Sequence, residues 1–371
     1  MNFSIAKSEA LRCLARVIGS TEKKDSIEIL SYVKVDVKDG KATFTTTNLD
    51  MQSSDIANIN SSEEFSFVAP IHSMLEIVKK VPESSELKFT VQEGEMGQKI
   101  NIAANKFTFD ISTLPAGDFP IMPSADFTSS VEIDAVKFVD AIKKTQFSIC
   151  NDEVRYNLNG IMMHTKDGKL HCVSTDGHRL SVAKVSATAS GELENVIVPK
   201  KAISELVKLL SGVTGNIALK FGQNKFSLKF ETTSFTSKLI DGSFPDYTRV
   251  IPTNNEKIIE IDVDALSHAI DRVAIVNMGS DNKGMIFAIS PNSLEISSKS
   301  DYGQSSEVVD ISYNGSENYS IRYNYRYIMD ILHQINTTKC VFQIHTPETP
   351  VLILPQADST DLLFVVMPMK I

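Results

Sequence analysis

Two hydrophobic periodicities follow each other in a fixed order along the 371-residue chain. In residues 3–19, a short run of alternating apolar and polar residues leads into a segment with apolar residues at helical spacing. The same pair of patterns returns in residues 131–147 and 259–276, about 128 residues later each time. In the second copy, Val136 and Ile142 belong to the apolar helical face. The pattern predicts a strand followed by an amphipathic helix at three places.

A β-hairpin is predicted after each of these helices. Asp39-Gly40 and Asp167-Gly168 each separate two alternating runs, and an Asp-Gly pair in that position is a strong hairpin signal. The two pairs lie 128 residues apart, and the third hairpin is predicted to turn at Pro291-Asn292.

A second amphipathic helix and a closing set of strands complete each copy. The helices are predicted in residues 69–81, 198–210 and 321–335, and the closing strands in residues 106–120, 234–247 and 362–371. Recurrence of four elements in one order predicts an α+β chain of three similar domains, each with two helices and antiparallel sheets. We expect the domains to span residues 1–125, 126–253 and 254–371.

The composition mainly excludes classes of protein. Hydrophobic residues make up 42% of the chain and charged residues 22%, which is typical of a soluble globular protein, and no apolar run is long enough to span a membrane. The N-terminus lacks a signal-peptide pattern, and the four cysteines are scattered without a Cys-x-x-Cys motif. We therefore expect a cytoplasmic protein with reduced thiols, no membrane contact, no cofactor and no metal.

One short segment, STDGHRL (174–180), suggests a hydrolase as an alternative, because Ser174, Asp176 and His178 lie close together. In a strand these three side chains would point to one side, with no recognisable oxyanion donor, and Asp176-Gly177 is itself a turn signal. The common nucleotide-binding and metalloprotease motifs are missing from the sequence. His164 and His171, seven residues apart across a hairpin, indicate surface strand positions in preference to metal ligands. We therefore predict that the chain is not an enzyme.

Five segments together resemble the bacterial DNA polymerase sliding clamp, the β subunit of the replicative polymerase. They are TQFSICNDEVRYNLNGIM (145–162), STDGHRL (174–180), VIVPKKAISEL (196–206), FTSKLIDGSFPDYTRVIP (235–252) and VVMPMKI (365–371). The resemblance covers the full length. It implies a head-to-tail homodimer that forms a closed ring of six similar domains. Each chain would form half of the ring. Twelve helices would line the hole, and continuous sheets would form the outside.

The resemblance implies a processivity factor that encircles double-stranded DNA, slides without sequence specificity and tethers its partners. Those partners would be the replicative polymerase subunit, the clamp loader and other proteins with a clamp-binding motif. The six predicted helices carry a net charge of +5, whereas the whole chain carries −9, although the helix in 262–276 is itself acidic. A weakly basic bore inside an acidic protein suits sliding on DNA. The expected DNA contacts are Arg12, Lys24, Lys80, Lys143, Lys200 and Lys201.

A partner-peptide pocket is also implied by the resemblance, at the STDGHRL corner and the C-terminal tail. The matching positions are Leu158, Thr175, Gly177, His178, Arg179, Leu180, Pro245, Arg249, Val250, Pro350, Val365, Val366, Met367, Pro368, Met369 and Lys370. Methionine side chains are adaptable, and we expect a mobile chain end to fit different ligands. In this interpretation His178 and Arg179 supply polar edges that hold a peptide backbone.

The implied subunit interface pairs the first domain of one copy with the third domain of the other. Its apolar candidates are Phe109 and Ile111 on one side and Ile275 and Val276 on the other. The segment SKSDYGQSSEVVD (298–310) is less acidic than the family pattern, so we expect apolar packing to contribute most of the interface. A repeat-built interaction scaffold with no DNA role stays open as the alternative function.

Overall fold

The computed structural model describes residues 1–22, 27–94, 97–278, 283–356 and 359–370. Contact density divides the chain into two units. The first unit comprises Met1–Ala135, Ala189–Glu192 and Ser204–Leu239, and the second comprises Val136–Thr188, Leu193–Ile203 and Ile240–Ile371. Residues 126–253 contribute to both units, and the three domain ranges expected from the sequence stay a prediction.

Within the described residues, an α-helix forms at each of the six places where the apolar periodicity predicts one, although the sixth begins later than expected. The helices are α1 (Lys7–Val17), α2 (Ile71–Lys80), α3 (Ala135–Gln146), α4 (Lys200–Leu209), α5 (Val263–Val273) and α6 (Tyr325–Leu332). In α1 the residues Ala10, Cys13, Leu14 and Val17 are buried, as the amphipathic pattern requires. The predicted face of α3 is partly wrong, because Val136 is 56% exposed whereas Phe138 and Ile142 are fully buried.

The strands follow in three similar sets. The first set is β1 (Asn2–Ala6), β2 (Tyr32–Lys38), β3 (Lys41–Thr47), β4 (Met51–Asn58), β5 (Phe65–Pro70), β6 (Glu86–Gly94), β7 (Gly97–Ala104) and β8 (Phe107–Ser112). The second is β9 (Phe127–Asp134), β10 (Gly160–Lys166), β11 (Lys169–Thr175), β12 (Arg179–Ser186), β13 (Thr188–Ser190), β14 (Val196–Pro199), β15 (Asn216–Gly222), β16 (Lys225–Phe230) and β17 (Thr233–Lys238). The third is β18 (Lys257–Asp262), β19 (Gly284–Ser290), β20 (Ser293–Ser300), β21 (Gly303–Tyr313), β22 (Tyr319–Asn324), β23 (Lys339–Ile344), β24 (Val351–Leu354) and β25 (Leu362–Val366).

All three predicted hairpin turns are confirmed. β2 and β3 are joined at Asp39-Gly40, and β10 and β11 are joined at Asp167-Gly168. Both pairs have positive φ angles, 51° and 68° in the first turn and 51° and 69° in the second. This left-handed backbone is the conformation that Asp-Gly favours, because glycine has no Cβ to clash. The third turn, at Pro291-Asn292, joins β19 and β20.

The sixth helix begins later than the sequence pattern predicts. Residues 321–324 belong to β22, which pairs with β19 through Ile321↔Phe287. The helix begins after Asn324, whose side-chain oxygen accepts a hydrogen bond from the backbone N–H of Arg326 at 3.1 Å. This is the usual capping contact at a helix start, and it sets the boundary.

Two sheets belong to the first unit. One has the order β1-β6-β7-β8, and the other has the order β13-β9-β15-β16-β17-β4-β3-β2-β5. The pairing of β4 with β17, from Thr233↔Asp55 to Ser237↔Met51, joins the first set of strands to the second in one continuous antiparallel sheet.

The second unit contains one twelve-stranded sheet, in the order β14-β10-β11-β12-β25-β24-β23-β18-β21-β20-β19-β22. The pairing of β12 with β25, from Arg179↔Val366 to Ala183↔Leu362, joins the second set to the third in the same way.

The repeat extends to hydrogen bonds between side chains. Ser20 and Ser53 lie 2.6 Å apart through their hydroxyls, and so do Ser148 and Ser181, 128 positions further on.

Candidate functional site

The STDGHRL corner is the turn between β11 and β12. The Asp176 carboxylate accepts hydrogen bonds from the backbone N–H groups of His178 (2.9 Å) and Arg179 (3.0 Å). The Thr175 hydroxyl donates to the Arg179 carbonyl at 2.6 Å and accepts from the Gly177 N–H at 3.1 Å. Gly177 has a φ of +87°, a left-handed conformation that favours glycine. Side-chain bonds to the backbone therefore fix the shape of the turn.

The corner is not a catalytic triad. Ser174 is fully buried, and its hydroxyl donates to the Thr145 carbonyl at 2.5 Å. The Asp176 carboxylate accepts its hydrogen bonds from backbone N–H groups of the turn, and the His178 side chain is exposed to solvent. A nucleophile needs a base within hydrogen-bond reach, and a base needs an orienting carboxylate, so this arrangement cannot activate Ser174.

The same turn recurs in the first unit with different side chains. Asn48 accepts from the N–H groups of Asp50 (3.1 Å) and Met51 (2.7 Å), and the Leu49 N–H bonds the Thr47 hydroxyl at 3.1 Å. Leu49 has a φ of +73°, which matches Gly177, 128 positions later. The backbone geometry is thus a property of the fold, and the side chains alone distinguish the two corners.

Arg179 is embedded in the second unit. Its guanidinium donates to Asp176 (3.1 Å), Asp330 (2.5 Å) and the Phe147 carbonyl (2.6 Å). It also lies over the rings of Phe147 (5.0 Å) and Tyr327 (4.4 Å), and only 10% of the side chain is exposed. The sequence interpretation gave Arg179 a polar edge for a peptide, and this stays a prediction. In the structure each of its three guanidinium nitrogens already donates one hydrogen bond within the protein. Arg179 connects α6 to the corner.

A buried apolar cluster beside the corner, called the apolar floor below, brings together three predicted pocket residues. Leu158, Leu180 and Val365 belong to one buried cluster with Phe244, and Tyr247 packs against it. Val366 is fully buried in β25. Pro350 directly precedes β24, where Val351 pairs with Val366, so it lies near the end of that strand.

The tail after β25 is attached at two points. The Met367 N–H donates to the His178 carbonyl at 2.9 Å, and the Met369 N–H donates to the Arg322 carbonyl at 2.7 Å. Met367 and Met369 are 43% and 37% exposed. Backbone hydrogen bonds therefore position the tail as far as Met369 and leave both methionines at the surface, and the expected mobility of the chain end stays a prediction.

The predicted wall at residues 245–250 is a 3₁₀ turn, Tyr247–Val250. The Asp246 carboxylate caps it by accepting from the N–H (3.2 Å) and the hydroxyl (2.6 Å) of Thr248. Arg249 and Val250 are both well exposed, at 83% for the Arg249 side chain and 51% for Val250. The turn thus presents one charged and one apolar side chain next to the apolar floor.

Beneath this turn lies a cluster that the sequence interpretation missed. His164 and His171 are directly opposed on β10 and β11, and the Tyr247 hydroxyl lies within hydrogen-bonding distance of both rings, 2.9 Å from His164 Nε2 and 3.3 Å from His171 Nδ1. His171 is only 7% exposed, so its expected surface position is wrong. Burial lowers the pKa of His171 to about 4, with a further contribution from His164, and burial also lowers the pKa of His164.

The predicted DNA contacts differ in their exposure. Lys80, Lys143, Lys200 and Lys201 are exposed. Arg12 is instead engaged in the first unit, where it donates to the fully buried Asp55 at 2.5 Å, to Glu9 at 2.9 Å and to the Thr232 hydroxyl at 2.9 Å. Lys24 lies outside the described residues. Each assignment to DNA stays a prediction.

The predicted interface residues lie beside two strand edges. β8 is the last strand of its sheet, and there Phe109 and Ile111 are half-buried against the core of the first unit, whereas Phe107 is 50% exposed. In the second unit Ile275 is 61% exposed, and Val276 is held through its carbonyl by the Ser300 hydroxyl at 2.5 Å. Within the described residues, Gly303–Asp310 of β21 pair with β20 alone, so their other edge has no strand partner in the chain.

The described residues lack two features that would point to membrane or metal chemistry. No helix in that part of the chain is long and apolar enough to cross a membrane. Over the same residues, no group of three or more His, Cys, Asp or Glu side chains has the arrangement of a metal site.

Comparison with known proteins gives one consistent family. Models of the DNA polymerase III beta subunit match in all three of its parts: the N-terminal domain at residues 1–123, the central domain at 132–246 and the C-terminal domain at 248–370. The beta sliding clamps of Caulobacter vibrioides and Escherichia coli K12 are each 32% identical over 377 residues, which cover both chains completely.

Solved structures give the same result. A DNA polymerase sliding clamp from Caulobacter crescentus is 32% identical with a TM-score of 0.93, and both chains are covered completely. A Pseudomonas aeruginosa sliding clamp bound to griselimycin is 31% identical with a TM-score of 0.94, again over the whole of both chains.

Proposed function

Since the chain belongs to the family of bacterial DNA polymerase III beta subunits, the β sliding clamps, we propose that two copies close head to tail into a ring around duplex DNA. Like the family, the chain is a non-catalytic processivity factor that tethers the replicative polymerase to DNA. The observation that carries the proposal is the match of all three family domains, in order, along essentially the whole chain.

Ring closure is supported by the two strand edges. Unpaired N–H and C=O groups along an edge strand are a template for pairing with another chain. β8 of one copy would add to the Gly303–Asp310 edge of β21 in the other, and the contact would be the same at both ends of the dimer. Phe107 on β8 and Val308 on β21, which is 61% exposed, add apolar surface to Ile275. Backbone pairing would set the register, and burial of these side chains would supply most of the free energy.

DNA contact in this proposal is weak and spread out. The exposed lysines Lys80, Lys143, Lys200 and Lys201 lie at or near the ends of three helices that the family arrangement turns toward the DNA. A net charge of −9 disfavours simple adsorption of the whole protein to a polyanion. A few lysines neutralise a few phosphates without reading bases, so affinity stays low and salt-dependent. Encirclement, not affinity, then holds the ring on DNA.

Partner binding is assigned to the floor and rim beside the STDGHRL corner. Leu158, Leu180 and Val365 form an apolar floor, and the exposed Met367 and Met369 flank it. A short peptide with large apolar side chains could bury them there, and methionines adapt to different shapes. The proposed ligands are the clamp-binding segments of the polymerase subunit, the clamp loader and other replication and repair proteins, which would compete for one site.

A cytoplasmic location belongs with this function, because the DNA of a bacterium lies in the cytoplasm. Support comes from the four cysteines, Cys13, Cys150, Cys172 and Cys340, which are free and buried. Reduced cysteines are usual in proteins of a reducing compartment.

The test is the mass of the protein in solution together with images of single particles. A dimer of two 40.9 kDa chains, with a central hole wide enough for duplex DNA, is the expected result. A monomer at micromolar concentration, or a dimer without a hole, would overturn the ring. The scaffold alternative, which needs no DNA role, would gain support from the same outcome.

A further inference from the structure

Three donor atoms converge at the base of the 245–250 turn. His164 and His171 are opposed across the β10–β11 hairpin, with ring centroids 4.5 Å apart. His164 Nε2 and His171 Nδ1 lie 2.9 Å and 3.3 Å from the same oxygen, the Tyr247 hydroxyl. The Tyr247 hydroxyl has one proton and can donate it to only one of the two imidazoles. The other imidazole must therefore donate its own N–H to the hydroxyl oxygen.

These spacings resemble the edges of a metal coordination polyhedron. A first-row metal such as Zn²⁺ binds imidazole nitrogen at about 2.0–2.1 Å, which places neighbouring ligands of a tetrahedral ion about 3.3 Å apart. The two measured edges, 2.9 Å and 3.3 Å, are close to that value. The two edges that meet at the Tyr247 oxygen therefore already have about the length expected between two ligands of one shared ion.

We propose that His164, His171 and Tyr247 form a binding site for a first-row transition metal ion, with Zn²⁺ as the probe ion at neutral pH. The two nitrogens donate their lone pairs to the ion, with each ring proton on its other nitrogen. The Tyr247 oxygen is the third ligand and transfers its proton to solvent if it binds as phenolate. Water completes the fourth position.

Access and charge around the site set the expected affinity. His164 and Tyr247 are half-buried, so the ion can enter from the surface without unfolding the hairpin. Lys166 and Lys184 repel a cation, whereas Asp167 and Asp246 attract it. Two imidazoles with balanced surrounding charge indicate modest affinity, well below that of a four-ligand structural site.

The experiment is calorimetric titration of the full-length protein with ZnCl₂, comparing wild type with His164→Gln and the control His268→Gln. His268 is exposed on α5, outside the cluster, and the control tests for adventitious histidine binding. The expected result is one ion per chain for wild type and control, with affinity at least tenfold weaker in His164→Gln. Cu²⁺ added in place of Zn²⁺ should give an electron paramagnetic resonance spectrum with two nitrogen ligands.

Equal affinity in all three proteins, or no binding by wild type, would overturn the site. His164→Gln is preferred because His164 is only half-buried, so its replacement should disturb folding less than a change at the buried His171. Circular dichroism checks that each variant is folded. The solution mass of the same samples reports on the ring independently, so loss of the metal site leaves the proposed clamp function untouched.

Discussion

Replacement of Arg179 by alanine should destabilise the protein as well as affect partner binding. The guanidinium connects Asp176, Asp330 and the Phe147 carbonyl, and it stacks on Phe147 and Tyr327. Alanine would leave the 16%-exposed Asp176 carboxylate and the Phe147 carbonyl without this donor. The sequence interpretation assigned Arg179 to the partner peptide, which stays a prediction, and the structure adds these contacts within the protein.

The magnitude follows from the exposure of the partners. Removal of one partner from a buried ion pair costs roughly 3–5 kcal/mol. The Asp330 side chain is 43% exposed, and solvent screens that pair, so we take the lower end, about 3 kcal/mol. In a unit of roughly 200 residues, each kcal/mol lowers the melting temperature by about 2–4 °C, so we expect a decrease of about 6–12 °C.

The assay is thermal unfolding by calorimetry, with peptide affinity measured on the same samples. Arg249→Ala is the matched control, because its side chain is 83% exposed and pairs only locally with Asp246, 2.9 Å away. Such a surface pair contributes about 1 kcal/mol or less, so the control should melt near wild type. Arg179→Lys should recover only part of the loss, because lysine lacks the planar fork. A wild-type melting temperature for Arg179→Ala with weakened peptide binding would refute the structural role.

Three further outcomes are expected. Asp55→Ala removes a fully buried carboxylate that pairs with an arginine. It should lower the free energy of unfolding, measured by urea titration, by roughly 3–5 kcal/mol. The control Asp50→Ala changes a side chain that is 74% exposed, so it should change the free energy of unfolding by less than about 1 kcal/mol. Ile275→Asp should give folded monomers by sedimentation while Val136→Asp stays dimeric; a dimeric Ile275→Asp protein at low concentration would show that the interface lies elsewhere. Deletion of residues 367–371 should abolish binding of a clamp-motif peptide and leave the protein dimeric, and unchanged affinity would place the docking site elsewhere.

The fold could be predicted from sequence wherever local signals agree. Asp-Gly turns and helical periodicity need no distant partner, and both recur at a spacing of about 128 residues. The start of α6 was missed because residues 321–324 pair with β19, and strand pairing across the sheet overrode a local helical pattern. Val136 was placed on the buried face of α3 but is exposed, because helical periodicity indicates which side of a helix is buried but not how wide the buried stripe is.

The contacts at the corner could not be predicted from sequence, and its role in peptide binding stays a prediction. The resemblance pointed to the corner and the tail, yet Arg179 is engaged by Asp330, 151 residues away, which no local pattern reveals. The His164–His171 pair was accessible from sequence, because a turn at Asp167-Gly168 places these two positions opposite each other. Burial of His171 and the approach of Tyr247, 76 residues further on, depend on tertiary packing.

The most direct test of the clamp function is retention on DNA of different topology. The protein would be loaded by a clamp loader onto nicked circular plasmid and separated by gel filtration in salt that screens phosphate contacts. Encirclement predicts that the protein stays with the circular DNA and is lost once a restriction enzyme linearises it. Equal retention on circular and linear DNA, or loss from both at the same rate, would contradict a ring held by topology.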